Sequence, residues 1–184
     1  MKQLYKGLIY AGRVLFERGL VDTRSGNISA RINIDKIIIK KSGENMGDLR
    51  NKSFVITYIS KKSKNDSVAS SDLELHRKIY IYGDKKSKYF GAVVHSHPPE
   101  AIALSHIFEE IEPRDHEARL YVQKIKFVEY TEVPEIISEY KVCVSKFHGV
   151  FCAGKDIQEA LLLNLITANS LKIAMYEKIL DIKK

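Results

Sequence analysis

Cysteine, proline and long apolar runs are all scarce in this 184-residue chain, and each scarcity closes off a class of protein. The only cysteines, Cys143 and Cys152, are too few for a disulfide framework, and both lie in apolar stretches where a reduced, packed thiol is expected. No apolar run approaches the roughly 18 to 20 residues needed to span a bilayer. The opening Met1-Lys2-Gln3-Leu4-Tyr5-Lys6 leads into an amphipathic segment instead of a signal-peptide core. Domain linkers, internal repeats and low-complexity blocks are missing too, so a single domain over residues 1–184 is expected. Together these absences point to a soluble, cytoplasmic protein.

What is present is ordinary globular composition, 45% hydrophobic and 29% charged, with a net charge of +7. The positive balance favours anionic partners, either phosphorylated metabolites or nucleic acid. Most lysines are scattered, apart from Lys40-Lys41 and Lys61-Lys62-Ser63-Lys64, and no nucleic-acid-binding module is visible. Neither nucleic acid nor a membrane is therefore the expected partner.

Apolar spacing predicts a helix over residues 2–18 ending at Gly19, then a strand in which Ile28, Ala30 and Ile32 share one face. Residues 36–40 and 53–59 read as further strands, and the charged stretch 60–68 as an exposed hairpin tip. Ser70 or Ser71 can cap a helix carrying Leu73, His76, Ile79 and Tyr80, with His76 expected to pack on that helix. Beyond Pro98-Pro99 a helix over roughly 100–109 is expected, 113–116 is a loop or helix start, 124–130 a strand, and 134–139 a short helix. Strands over 141–145 and 150–153 and a long helix over 156–181 complete the chain.

His95-Ser96-His97 is the most suggestive stretch. It ends an apolar run, Tyr89 to Val94, that Pro98 and Pro99 terminate. Residues i and i+2 of a strand project to one face, roughly 6.5 to 7 Å apart along the chain, so two imidazoles can converge on one ion and leave other corners to distant groups. Satisfied, non-ligating histidines are the plainer alternative. Cys143 and Cys152 flank His148, which makes a thiolate ligand conceivable beside the packed-thiol reading. The turn at Ser25-Gly26-Asn27 can offer amide donors to an anion or simply connect helix to strand.

Five separated stretches, Ser25-Gly26-Asn27-Ile28-Ser29-Ala30-Arg31, Lys41-Ser42-Gly43, Ser70-Ser71-Asp72 with His76, Val94-His95-Ser96-His97 and His148-Gly149-Val150, occur in an order that resembles the class II aldolase and adducin head family. The resemblance spans nearly the whole chain. It implies an α/β fold, a three-layer α/β/α domain around a mainly antiparallel central sheet, assembled as a homotetramer with sites between subunits. His95, His97 and His148 match the family's metal-binding histidines, and the implied cofactor is zinc, one per subunit, or another divalent metal. Gly26, Asn27, Ser42, Gly43, Ser70 and Ser71 match its phosphate-binding loops, whose small residues let amides and hydroxyls approach an anion. Arg24 stands where the aldolases often have threonine, and either adds charge to that pocket or lies on the surface.

The implied activity is that of a metal-dependent lyase like L-fuculose-1-phosphate aldolase. Such an enzyme cleaves a ketose 1-phosphate to dihydroxyacetone phosphate and an aldehyde through a metal-stabilised enediolate. Asp72 matches the acid/base position, where the fuculose-type aldolases carry Glu and the L-ribulose-5-phosphate 4-epimerases carry Asp. A carboxylate one methylene shorter retreats by over about 1 Å, enough to matter when proton transfer needs roughly 2.6 to 3.2 Å between heavy atoms. Glu74, two residues further along a helix, points about 200° away. The chain ends at Lys184 without the tail from which some members bring a tyrosine into the neighbouring site, leaving Asp115 and Glu117 as stand-ins for the missing acid or as plain surface charge. An epimerase, a methylthioribulose-phosphate dehydratase and a non-catalytic adducin-type head are the alternatives. The last tends to lose the three histidines kept here.

Overall fold

A computed structural model describes residues 1–180 of the chain. Its strands are β1 (Asn27–Arg31), β2 (Lys36–Lys40), β3 (Phe54–Tyr58), β4 (Ala92–Ser96), β5 (Glu110–Ile111), β6 (Ile125–Val128), β7 (Val142–Ser145) and β8 (Gly149–Gly154). Its helices are α1 (Lys2–Glu17), α2 (Leu73–Lys85), α3 (Pro99–Leu104), α4 (His116–Tyr121), α5 (Val133–Tyr140) and α6 (Ile157–Ile179). The strands form one sheet in the order β3-β2-β1-β4-β8-β7-β6-β5. Six of the seven neighbouring pairs run antiparallel, as expected, and the sheet is mixed only in that β6 and β7 run parallel. Helix α5 joins them and carries the chain back to the starting end, as a parallel pair requires.

Successive apolar residues on the inner strands leave the sheet on opposite sides. Ile37 and Ile39 of β2 join Leu75 and Ile79 of α2 and Ile137 of α5, whereas Ile38 lies with Leu8 and Leu15 of α1 and Ala160 of α6. Strands β7 and β8 divide likewise: Cys143 and Phe151 face the α2 side, and Val144, Val150 and Cys152 pack with Leu104 of α3 and Leu163 of α6. A sheet apolar on both faces must be covered on both, and these helices cover it.

Several boundaries differ from the sequence reading. Helix α3 stops at Leu104, where Ser105 Oγ donates to the Ile102 carbonyl (2.7 Å) and accepts from the Phe147 amide (3.0 Å), tying this turn to the segment before His148. Residues 116–121 form a full helix, started by Asp115 Oδ2 accepting from Ala118 N (3.1 Å). Stretch 60–68 is no hairpin tip: it leads into α2 through a 3₁₀ turn at Lys64–Val68, and Arg77 of α2 fastens it by bonding Asp66 Oδ2 (2.9 Å) and the Lys61 carbonyl (3.0 Å). The expected end of the last helix at 181 lies outside the described residues. Among those described, no helix is long and apolar enough to cross a membrane.

Candidate active site

Two parts of the sheet bring three imidazoles together. His95 lies in β4 and His97 just beyond it, and the β7–β8 turn carries His148. His95 Nε2 stands 2.7 Å from His97 Nε2 and 3.2 Å from His148 Nε2, and the ligand atoms of all three lie within 4.8 Å of one another. Tetrahedral ligands at about 2.0 to 2.1 Å from a zinc ion are roughly 3.3 Å apart, so the cluster has the dimensions of a metal site. His95 Nδ1 donates to the Val150 carbonyl (2.9 Å), which leaves Nε2 as a bare lone pair facing its partners. Phe151 stacks on the ring at 3.8 Å. Burial, followed by the other two imidazoles, pushes the His95 pKa well down, and burial also lowers that of His97. Three imidazole nitrogens this close, with burial disfavouring the charged form of His95 and His97, fit a divalent cation.

Gly149 makes the convergence possible. A β-carbon at this position would lie 2.2 Å from the Ser96 carbonyl oxygen and 2.9 Å from Cδ2 of His97, so no side chain fits where the turn meets β4. Cys143 and Cys152 are outside the cluster. Both are buried, and burial raises both thiol pKa values, so they serve as packed thiols.

The loops named from sequence converge beside the imidazoles. A cavity of about 120 Å³ is lined by Gly26, Asn27, Ser42, Gly43, Ser70 and Ser71, together with Asp72, His97 and His148. Gly26 holds a φ of +72°, and a β-carbon there would strike Val21 and approach the His95 carbonyl at 3.0 Å. Asp22 shapes the loop before it, accepting from the amides of Arg24 (2.8 Å) and Ser25 (2.7 Å). Arg24 lies on the lining too, which favours the first of its two readings. Lys40, which in the sequence stands out only as half of a lysine pair, is a second cation on the cavity: it is almost wholly buried, its Nζ donates to the Glu44 carbonyl (2.8 Å), and burial lowers its pKa.

Asp72 occupies the position that starts α2, yet its side chain caps nothing. Oδ2 accepts from Asn27 Nδ2 (2.7 Å) and Oδ1 from the hydroxyl of Tyr130 (2.8 Å), while Oδ2 lies 3.8 Å from His95 Nε2. A carboxylate turned from its own helix towards the imidazoles is placed for chemistry. Asn27 correspondingly differs from its expected part, since its side-chain amide is taken up by Asp72 on one side and by His76 on the other. His76 does more than pack on its helix: fully buried, it reaches across to β1, with Nε2 2.5 Å from Asn27 Oδ1 and Nδ1 2.7 Å from Ser29 Oγ.

Tyr130 went unnoticed in the sequence. It follows β6 and reaches the site because the parallel pairing of β6 with β7 sets it beside His148, at 5.7 Å between ring centroids. Burial and the adjoining Asp72 raise its pKa, so it remains a phenol. Asp115 and Glu117 instead line a different cavity of about 500 Å³ with Arg18, Glu100 and Lys172.

Two outcomes follow from this geometry. Gly149→Ala should weaken divalent-metal binding by about 10- to 100-fold, the usual effect of disturbing groups that orient ligands, as measured by competition with a chromophoric chelator. Burial pushes the His76 pKa down from 6.5 to about 4, so between those values the unfolded chain binds the proton that the native chain refuses. Stability from this group is full above pH 6.5 and lost as pH falls through about 4. Denaturant midpoints of the metal-free protein should therefore fall more steeply over this range than those of His76→Gln.

The class II aldolase and adducin N-terminal domain model matches residues 6–175. An L-fuculose phosphate aldolase of Methanocaldococcus jannaschii is 29% identical over 175 residues, covering 84% of this chain and 86% of that protein. A methylthioribulose-1-phosphate dehydratase of Methylococcus capsulatus is 29% identical over 177 residues, covering 84% of each. The crystal structure of L-fuculose-1-phosphate aldolase from Thermus thermophilus superimposes with a TM-score of 0.89 at 25% identity, over 98% of this chain and 97% of that one. The chain thus belongs to the class II aldolase and adducin N-terminal domain family.

Proposed function

We propose that the protein is a zinc-dependent sugar-phosphate aldolase of the L-fuculose-1-phosphate type, which cleaves a ketose 1-phosphate to dihydroxyacetone phosphate and an aldehyde. One observation carries this reading: a single small cavity is bordered by the imidazole cluster, by a carboxylate turned towards it, and by two cations among serine- and glycine-bearing loops. A phosphate suits the loops and a hydroxyketone suits the imidazole end. The similarity to aldolases across most of the chain supports the same assignment.

His95, His97 and His148 would hold the zinc, which would supply Lewis acidity for the substrate carbonyl. Lys40 and Arg24 balance the phosphate charge, while Ser42, Ser70, Ser71 and the loop glycines fix its position. Cleavage takes the proton from the hydroxyl of the carbon that becomes the aldehyde. The bonding electrons pass to the carbonyl side as an enediolate, and a proton returned to the carbon beside the carbonyl gives dihydroxyacetone phosphate. Asp72 is the group that takes up the hydroxyl proton as the carbon–carbon bond breaks and then delivers it to the carbon beside the carbonyl. Phe147, 59% exposed next to His148, suits the homotetramer implied by the family resemblance, in which a neighbour covers the site.

A second reading has its own support. Asp72 is the shorter carboxylate, fixed by two donors and 3.8 Å from the nearest imidazole nitrogen, an arrangement suited to an L-ribulose-5-phosphate 4-epimerase, in which the aldehyde is kept, turned and rejoined.

Elemental analysis of purified protein, with assays of dihydroxyacetone phosphate release from L-fuculose 1-phosphate and L-ribulose 1-phosphate, separates these readings. About one zinc per chain and release abolished by chelation and restored by zinc are expected. Zinc without release, together with conversion of L-ribulose 5-phosphate to its 4-epimer, overturns the aldolase in favour of the epimerase. In the active enzyme Lys40→Met should raise KM for the phosphorylated ketose by about 10- to 100-fold, the effect of losing a charge-assisted bond of roughly 1.5 to 3 kcal/mol, while zinc content stays unchanged.

A further inference from the structure

A line of polar side chains, buried except for Asp84 at its outer end, runs between β1 and α2, behind the cavity. Asn27, Ser29 and Arg31 lie at i, i+2 and i+4 on the strand, and Asp72, His76, Tyr80 and Asp84 at i, i+4, i+8 and i+12 on the helix. Two strand residues advance about 6.6 to 6.8 Å and four helical residues about 6.0 Å, so the two rows keep step over this length. Ser29 Oγ lies 2.7 Å from His76 Nδ1 and 2.8 Å from the Tyr80 hydroxyl, and Arg31 Nη2 donates to Asp84 Oδ2 at 2.6 Å.

The proton on every bond in this line follows from its end. An ionised Asp72 accepts only, so Asn27 must present its NH₂ group there and its carbonyl oxygen to His76. His76 Nε2 must then carry the hydrogen. In a neutral ring Nδ1 becomes an acceptor for the Ser29 hydroxyl, and Ser29 in turn accepts from Tyr80.

We infer that His76 is a positioning residue for the reaction: by donating from Nε2 to Asn27, it holds the Asn27 amide in the one orientation that offers Asp72 a donor, and so fixes the carboxylate against the imidazole cluster. His76 does not line the cavity, and its hydrogen-bonded path to Asp72 runs through Asn27. Without its donor the amide is free to turn over and set a carbonyl against the carboxylate, which then swings away. The inference rests on Asp72 being the proton-handling group proposed above.

His76→Leu, His76→Gln and His76→Asn, combined with a long-range ¹H–¹⁵N spectrum of the wild-type imidazoles, test it. The glutamine amide nitrogen can take the place of Nε2, whereas asparagine is too short to reach Asn27 and leucine donates nothing. Leucine and asparagine variants should lose about 10- to 100-fold in kcat, the effect of displacing a reacting group by about 1 Å, with KM within about threefold and zinc content unchanged. His76→Gln should return kcat to within about fivefold of wild type. A merely structural site would favour the apolar leucine, so equal kcat in the leucine and glutamine variants overturns the inference. If the leucine protein does not fold, equal kcat in the glutamine and asparagine proteins overturns it. The spectrum needs no activity: His76 is expected as the neutral Nε2–H tautomer, and an Nδ1–H or doubly protonated ring at pH 7 overturns the inference even if the wild-type protein proves not to be an aldolase.

Discussion

The register of β4 between its two neighbours sets the geometry of everything around the cavity. His95 pairs with Asn27 of β1 on one side and with Phe151 of β8 on the other. The first pairing brings the strand that holds Asp72 through Asn27 alongside the strand that carries the imidazoles. The second puts an aromatic plate under His95 and the Val150 carbonyl within reach of its Nδ1. Slipping a strand by one residue sends every side chain to the opposite face, so a displaced β4 would turn His95 out of the cluster and Val94 into it. The apolar neighbours Val93 and Val94, each buried in a different core, oppose that slip. Packing on both faces of the sheet thus becomes precision at the imidazoles.

The β1–α2 contact works differently, because half of it is polar. The side of β1 that faces α1 is apolar through Ile28 and Ala30, while the side that faces α2 carries Asn27, Ser29 and Arg31, all buried. Burying such groups is costly unless they are bonded, and here the bonded partners recur every four residues along the helix. A purely apolar contact would tolerate sliding of the helix by part of a turn. A row of matched donors and acceptors does not, since a shift breaks several bonds together. The helix that delivers Asp72 is therefore held against translation by the same row that orients its carboxylate.

Patterns confined to a few neighbouring residues were legible in the sequence. The His-Ser-His pair, the histidine–glycine turn and the serine- and glycine-bearing loops carry their chemistry locally, as do the periodic helices α1 and α2 and the long apolar run of α6. The parts that escaped depend on long-range register. Tyr130 meets Asp72 across 58 positions, and His76 meets Asn27 across 49, through sheet pairing that no local spacing encodes. His76 looked like a packed helix residue because its helical spacing matches that of its apolar neighbours. Lys40 closes a strand as many lysines do, and only the approach of the loop carrying Ser70 and Ser71 turns it into a wall of the cavity. Helix α4 and strand β5, six and two residues long, are too short for periodicity to announce them.

Asp72 concentrates the tension between scaffold and chemistry. A glutamate at this position would gain reach and lose restraint, having one more rotatable bond. Aspartate gives up reach, but each of its oxygens meets a donor from a different part of the fold, Asn27 from the first strand and Tyr130 from the far side of the sheet. Both donors are neutral, and Tyr130 is held as a phenol, so the carboxylate is oriented without an opposing cation. The nearest positive charge to the cavity belongs instead to Arg24 and Lys40, among the loops suited to a phosphate. In the proposed reaction, charge on the substrate would be met at one end of the cavity, while proton handling at the other would be left to a group fixed by hydrogen bonds alone. On that proposal, the strength of phosphate binding could change without disturbing the acid/base group, and the reach of the carboxylate without altering the phosphate end.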